Sequence, residues 1–228
     1  TTDKVNKNKE WEFGYRENDD LGGFDPYSAS KASAELLIDS WRNSFVKNKF
    51  LKIATARAGN VIGGGDWSKN RLVPDIYKSI YSNKSISLRS SNSKRPWQHV
   101  LEPLTGYLSL AKYLYIKQNP VCESFNFGPG ISNNKTVFEL TQSLLNLWPD
   151  LKNSIIEEVA SDFHETSLLN LNIDKAQKIL NWYPKLNFDQ NIKLTSDWYC
   201  NFYEGISAYE CTKNNIEAYF SMKNPNKN

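Results

Sequence analysis

Apolar positions recur at helical spacing from Pro26 to about Val46, where Ala29, Leu36, Leu37, Trp41 and Phe45 form a broad stripe behind a first-turn proline. The pattern predicts a long amphipathic helix. The next run, Phe50 to Arg57, mixes apolar with β-branched residues and stops at Gly59, as a buried strand would. Helical periodicity returns after Pro74, over Asp75 to Tyr81, and after Pro103, over Leu104 to Lys117. Short strand-like runs lie between them at Ile86 to Leu88 and Gln98 to Leu101. Beyond "SFNFGPG" the spacing predicts helices over Val137 to Leu147, Asp174 to Leu180 and Phe188 to about Tyr203, with a strand over Ile155 to Val159. The stretch after Tyr209 is rich in Asn and Lys and is expected to fray.

Strands alternating with helices define an α/β fold with a parallel sheet. A nucleotide-binding sheet of that kind opens on a glycine fingerprint between its first strand and helix, and this chain has none. Gly63 to Gly65 do not supply it, because "GGGDW" lacks the G-x-G-x-x-G spacing and runs into a charged, turn-like segment. The chain also begins "TTDKV" without Met, so its true start is expected upstream.

Composition removes several functions. The 228 residues carry a formal charge of +3 with lysines spread along the whole length, so no basic stripe points to nucleic acid. No run of about 18 apolar residues suggests a membrane span, and no basic segment followed by an apolar run suggests secretion. A cytoplasmic protein is expected. Cys122, Cys200 and Cys211 have neither metal-ligand nor redox spacing and read as free thiols; no metal is implied.

The candidate chemistry begins with "DPYSASKASAE", which sets Tyr27 four residues before Lys31. A tyrosine titrates near 10 and is a poor base at neutral pH, but a cation one helical turn away favours its phenolate. Spacing alone is not diagnostic, since Tyr113 and Lys117, and Tyr209 and Lys213, repeat it. Only Tyr27 is followed by Ser28, Ala29 and Ser30, small enough for a flat ring to lie against the helix. Upstream, "TTDK" gathers hydroxyls, a carboxylate and an amine at what reads as a strand end.

The two motifs in this order resemble the extended short-chain dehydrogenase/reductase family, the NAD-dependent epimerases and dehydratases. "GYREND", "ARAGNVIGGGDW", "RLVPD", "RPWQHVLEPLTGYL" and "NFGP" extend the resemblance toward its sugar-nucleotide dehydratases, with cytidine as the nucleotide, over residues 1 to about 203. The resemblance implies the C-terminal part of a Rossmann-like parallel sheet with a smaller α/β substrate-binding lobe. Residues 1–60 would be the remainder of the NAD-binding domain, 61–208 mainly the sugar-nucleotide lobe and 209–228 a tail, with the opening βαβ units upstream. It implies oxidation of a nucleoside-diphosphate hexose at carbon 4, loss of water across carbons 5 and 6, and return of the hydride to carbon 6.

In those roles Tyr27 would be the base at the carbon 4 hydroxyl, Lys31 would tune it and grip the ribose of NAD, and Thr2 would bond the same oxygen. Asp3 would protonate the departing hydroxyl and Lys4 would act at carbon 5, as base or as electrostatic stabiliser. Ala58 would contact the cofactor, and Asn60, Arg71 and Arg95 would bind the substrate. Arg57, ending a buried strand, reads as structural, and so does His99. The family usually has Tyr where this chain has Asn6. An epimerase or reductase of the family, or a fragment without turnover, remains open, and a homodimer or higher homo-oligomer is expected at full length.

Overall fold

Alternation along β1 (Ile53–Ala58) decides how the first layer is built. Ala54, Ala56 and Ala58 face a core formed with Leu110, Phe125, Phe127, Ala176 and Trp182. Thr55 and Arg57 point the other way and are nevertheless buried. The computed structural model describes residues 1–45, 51–117, 122–130, 133–148, 156–159 and 168–225. β1 pairs in parallel with β6 (Cys122–Phe127), Ile53 opposite Cys122 through to Ala58 opposite Phe127. On the other side of β1, Thr2 bridges Ala58 in parallel and the amino group of Thr1 donates to the Ala56 carbonyl at 2.6 Å. The first residues therefore run along β1 on the side opposite β6.

The alanine face is covered by α3 (Leu101–Ile116) and α5 (Asp174–Leu180), and the polar face by α1 (Pro26–Phe45). α1 meets the sheet through charge rather than through its apolar stripe. Glu35 receives Arg57 Nη2 at 3.0 Å and Thr55 Oγ1 at 2.9 Å, with a further bond from Thr1 Oγ1. Burial pushes Glu35 up, but the bonds from Arg57, Thr1 and Thr55 outweigh it and hold the carboxyl below its usual range. The stripe itself faces outward: Leu36, Leu37, Trp41 and Phe45 are 57, 68, 50 and 65% exposed.

A second layer contains β2 (Val61–Ile62) parallel to β5 (Gln98–His99), β3 (Ile86–Leu88) parallel to β8 (Ile156–Glu158), and β4 (Lys94–Pro96) antiparallel to β7 (Asn134–Thr136). α2 (Leu72–Tyr81), α4 (Val137–Asn146) and α6 (Phe188–Tyr203) close its core around Ile76, Tyr77, Leu140, Leu144 and Tyr199. Gly64 in "GGG" sits against the Trp198 ring, where a Cβ would stand 1.9 Å from Cγ.

Three expectations change. α2 and α3 start at Leu72 and Leu101, before their prolines, because Pro74 and Pro103 occupy first-turn positions whose N–H is not needed. β6 was not expected, its Cys-Glu-Ser-Phe-Asn-Phe run being too polar to read as a central strand. The segment expected to fray is instead α7 (Ala208–Ser221), capped by Ser207 and packed on α6 with Cys211 and Tyr219 buried. Val46, Phe50, Ile155 and His164 lie outside the described residues. Among the described helices none is long and apolar enough to cross a membrane, and no described cluster of His, Cys, Asp or Glu could hold a metal ion.

Candidate active site

At the C-terminal ends of β1 and β6, where parallel sheets open their ligand crevices, the chain leaves the sheet edge at Thr2. It then turns through a short 3-10 helix, Asp3–Val5, which swings Asp3 inward to 4% exposure. Thr2 Oγ1 donates to Asp3 Oδ1 at 2.9 Å and Asn60 Nδ2 to Oδ2 at 3.0 Å. Asn60 reaches it from a left-handed backbone, φ 53°, which Asn tolerates better than most residues. Gly59 makes the seat possible, since a Cβ there would stand 2.0 Å from Asp3 Cγ. Burial pushes the Asp3 carboxyl above its ordinary range, against smaller opposing effects of the Thr2 bond and the Lys4 charge.

α1 begins beside this turn and packs on it. Its first turn is fixed by Asp25, whose carboxylate accepts from Ser28 N at 3.0 Å and from Ser28 Oγ, bonds that hold it below its ordinary range with a smaller contribution from Lys4. Tyr27 is 49% exposed, and Lys31 Nζ lies 5.7 Å from its ring centroid. The same spacing sets Lys117 Nζ 5.3 Å from the Tyr113 ring, so this geometry follows from i,i+4 placement alone. What separates Tyr27 is its place, in the first turn of the helix that packs on the Asp3–Val5 turn.

The structure thus gathers Thr2, Asp3, Lys4, Tyr27, Lys31 and Asn60. Ala58 lies beside Thr2, with its side chain in the core beneath. Asn60, expected on the substrate, spends one amide donor on Asp3. Arg71 stands at the N-cap position of α2 without a side-chain cap bond, and Arg95 donates Nη1 to the Lys94 carbonyl at 3.0 Å, next to Pro96. Arg57 and His99 are buried; burial lowers His99 to about 4, against a smaller effect of Asn215. Asn6 is also buried, and its amide has no partner among the described residues.

One site residue went unnoticed in the sequence. Gln98 is fully buried and lines, with Asp3, Gly59, Pro96 and Phe127, a cavity of about 10 Å³. A polar residue between Trp97 and His99 in a buried run was the available signal.

Residues 8–118 match the family described as "NAD dependent epimerase/dehydratase family". The chain is 40% identical, over 97% of its length, to CDP-glucose 4,6-dehydratase of Salmonella typhimurium, and covers 63% of that protein. It is 24% identical over 90% of its length to dTDP-glucose 4,6-dehydratase of Escherichia coli, covering 56% of it. Among solved structures, dTDP-glucose 4,6-dehydratase of Bacillus anthracis in complex with NAD superposes with a TM-score of 0.72 at 25% identity, over 90% of this chain and 62% of that one. The chain therefore spans about three fifths of the length of these relatives. The parallel pairing of β1 with β6 and this superposition define a partial Rossmann-like α/β fold. Identity to the CDP-glucose 4,6-dehydratase, at 40%, stands well above that to the two dTDP-glucose 4,6-dehydratases, at 24 and 25%.

Proposed function

We propose that the full-length protein is an NAD-dependent hydro-lyase that converts CDP-D-glucose to CDP-4-dehydro-6-deoxy-D-glucose. The observation that carries this reading is Asp3: a carboxyl buried beside Thr2, with its proton affinity raised, at the strand ends against which the Tyr27 helix packs. A simple epimerase has no need of such an acid. The residues present fit the nicotinamide end of NAD, since Tyr27 is exposed in the first turn of α1, against the Asp3–Val5 turn, with only the small exposed residues Ala29 and Ser30 after the buried Ser28. Tyr27, Lys31 and Ala58 would hold it. When bound, NAD accepts a hydride from the sugar and gives it back.

Tyr27 removes the carbon 4 hydroxyl proton, with Thr2 bonded to the same oxygen and Lys31 supplying positive charge. Asp3 delivers its proton to the departing carbon 6 hydroxyl, and Lys4 acts at carbon 5. Asn60, Arg71 and Arg95 serve the nucleotide sugar, the arginines as two-pronged diphosphate donors. The exposed stripe of α1 supplies a face for homodimers or higher homo-oligomers, in a protein working in the cytoplasm.

Incubating the NAD-loaded full-length protein with CDP-glucose should yield a keto sugar that absorbs in alkali. No absorbance with CDP-glucose, but turnover of another nucleotide sugar, would move the reading to a sister enzyme. Lys4→Met should suppress release of the carbon 5 proton to solvent; unchanged release would remove Lys4 from that step.

A further inference from the structure

Gln98 is held from three sides. Its backbone N–H donates to the Asn60 carbonyl at 3.2 Å, and its Nε2 donates to the carbonyls of Gly59 at 3.0 Å and Phe127 at 3.1 Å. The amide cannot turn over, because flipping it would set Oε1 against two carbonyl oxygens. The side chain therefore clamps the C-terminal ends of β1 and β6 together with both donors used. Its Oε1, in a fully buried residue, has no partner among the described residues. A buried amide oxygen left without a donor is costly, so such atoms are met by a protein donor, a ligand or an ordered water.

The cavity that Gln98 shares with Asp3, about 10 Å³, has room for about one water-sized oxygen. Pro96, Phe127, Pro129 and Leu171 add apolar side chains and Gly59 and Gly128 only backbone, so Asp3 and Gln98 are its two polar side chains and stand as its poles. The two poles differ in kind. Asp3 already accepts from Thr2 and Asn60, whereas Gln98 Oε1 can only accept and has nothing to accept from.

We propose that Gln98 is a positioning residue: its Oε1 and the Asp3 carboxyl bracket a subsite for one oxygen, a water at rest and the departing hydroxyl during elimination. An oxygen seated there donates one hydrogen to Gln98 Oε1 and presents a lone pair to Asp3. In the elimination the carbon 6–oxygen bond breaks, its electron pair stays on oxygen, and the Asp3 proton completes a water molecule that now donates to Gln98. The catalytic part rests on the dehydratase reading; the subsite itself does not.

A crystal structure of the full-length protein at a resolution that shows solvent should reveal an oxygen within hydrogen-bond distance, 2.7–3.2 Å, of both Gln98 Oε1 and an Asp3 oxygen. An empty cavity, or a protein donor on Oε1, would overturn the subsite whatever the enzyme does. In the NAD-loaded enzyme with its nucleotide sugar, Gln98→Met should slow water loss about tenfold. Reduction of NAD, followed by its near-ultraviolet absorbance before elimination, should stay at the wild-type rate. Equal loss of both steps would reduce Gln98 to a strand clamp. If the unaltered enzyme reduces no NAD with any nucleotide sugar, the dehydratase reading fails, while the crystallographic oxygen still decides the subsite.

Discussion

Burial raises the proton affinity of Asp3, and the place where it is buried exists because Gly59 has no side chain. An added methyl would occupy the carboxyl position, so the carboxyl must leave its bonds with Thr2 and Asn60. Gly59→Ala should therefore lower turnover by about 10²-fold, the loss expected for a displacement of roughly 1 Å in a reacting group. Because the raised carboxyl is needed in its protonated form, wild-type elimination should fall as pH rises through the Asp3 pKa. The variant, with Asp3 moved toward solvent, should lose that limb at lower pH. A pH–rate profile of water loss in both proteins checks the sign, and an unmoved limb would separate Asp3 from the acid role. At this scale "TTDK" and "YSASK" were legible as chemistry because the residue types themselves carry it. Asn60 was legible as a donor but not as the partner of Asp3, since a left-handed backbone 57 residues away leaves no mark in local pattern. Gln98 was lost because its role depends on two carbonyls from different strands.

Helices show where composition misleads. α7 is built from an Asn- and Lys-rich stretch, yet Tyr219 is buried with its hydroxyl 3.3 Å from Thr105 Oγ1 on α3 and its carbonyl accepting from Lys185 Nζ, while Tyr209 is 74% exposed on the same helix. Tyr219→Ala should destabilise the protein by about 3 kcal/mol and Tyr209→Ala by less than about 0.5 kcal/mol, measured by denaturant unfolding. A true tail would make the two equal. The dock is Glu102 on α3, which accepts from Lys185 N at 2.9 Å, from Leu186 N at 2.7 Å and from the Tyr219 hydroxyl at 3.3 Å. Burial raises Glu102 from 4.5 to about 7, the three hydrogen bonds and Lys185 opposing it less strongly. The folded state thus binds the proton more tightly than the unfolded chain. Its contribution is complete below pH 4.5 and declines as pH rises to about 7, by up to ~3 kcal/mol. Glu102→Gln keeps the acceptor for Lys185 and Leu186 and should flatten that decline; an unchanged slope of Tm against pH would assign it to another group. The prolines taught the converse: a rule that Pro begins a helix set α2 and α3 three residues late, because Pro fits anywhere in the first turn.

Across the whole molecule, the alternation of strands and helices was enough to announce an α/β fold, but not which strands pair, because β1 and β6 meet across 69 residues and their register is fixed by packing. α1 states the consequence most clearly. Its apolar residues predicted the buried face of an amphipathic helix, yet the inward contacts are made by Ser28, Ala32, Glu35 and Arg42. Leu36, Leu37, Trp41 and Phe45 stand in water on consecutive turns, with the Trp41 and Phe45 rings in tilted contact at 5.2 Å and 54°. An apolar surface continuous over several turns drives association in a monomer. With a formal charge of only +3, long-range repulsion offers little opposition. The 228-residue chain should therefore sediment as associated species, and added salt should strengthen rather than weaken the association, as expected when burial of apolar surface drives it. Replacing Leu37 and Trp41 together by Lys should shift the distribution to monomer without lowering Tm, since neither side chain packs inward. Association that survives the double replacement, or that salt dissolves, would move the adhesive surface to charged groups elsewhere.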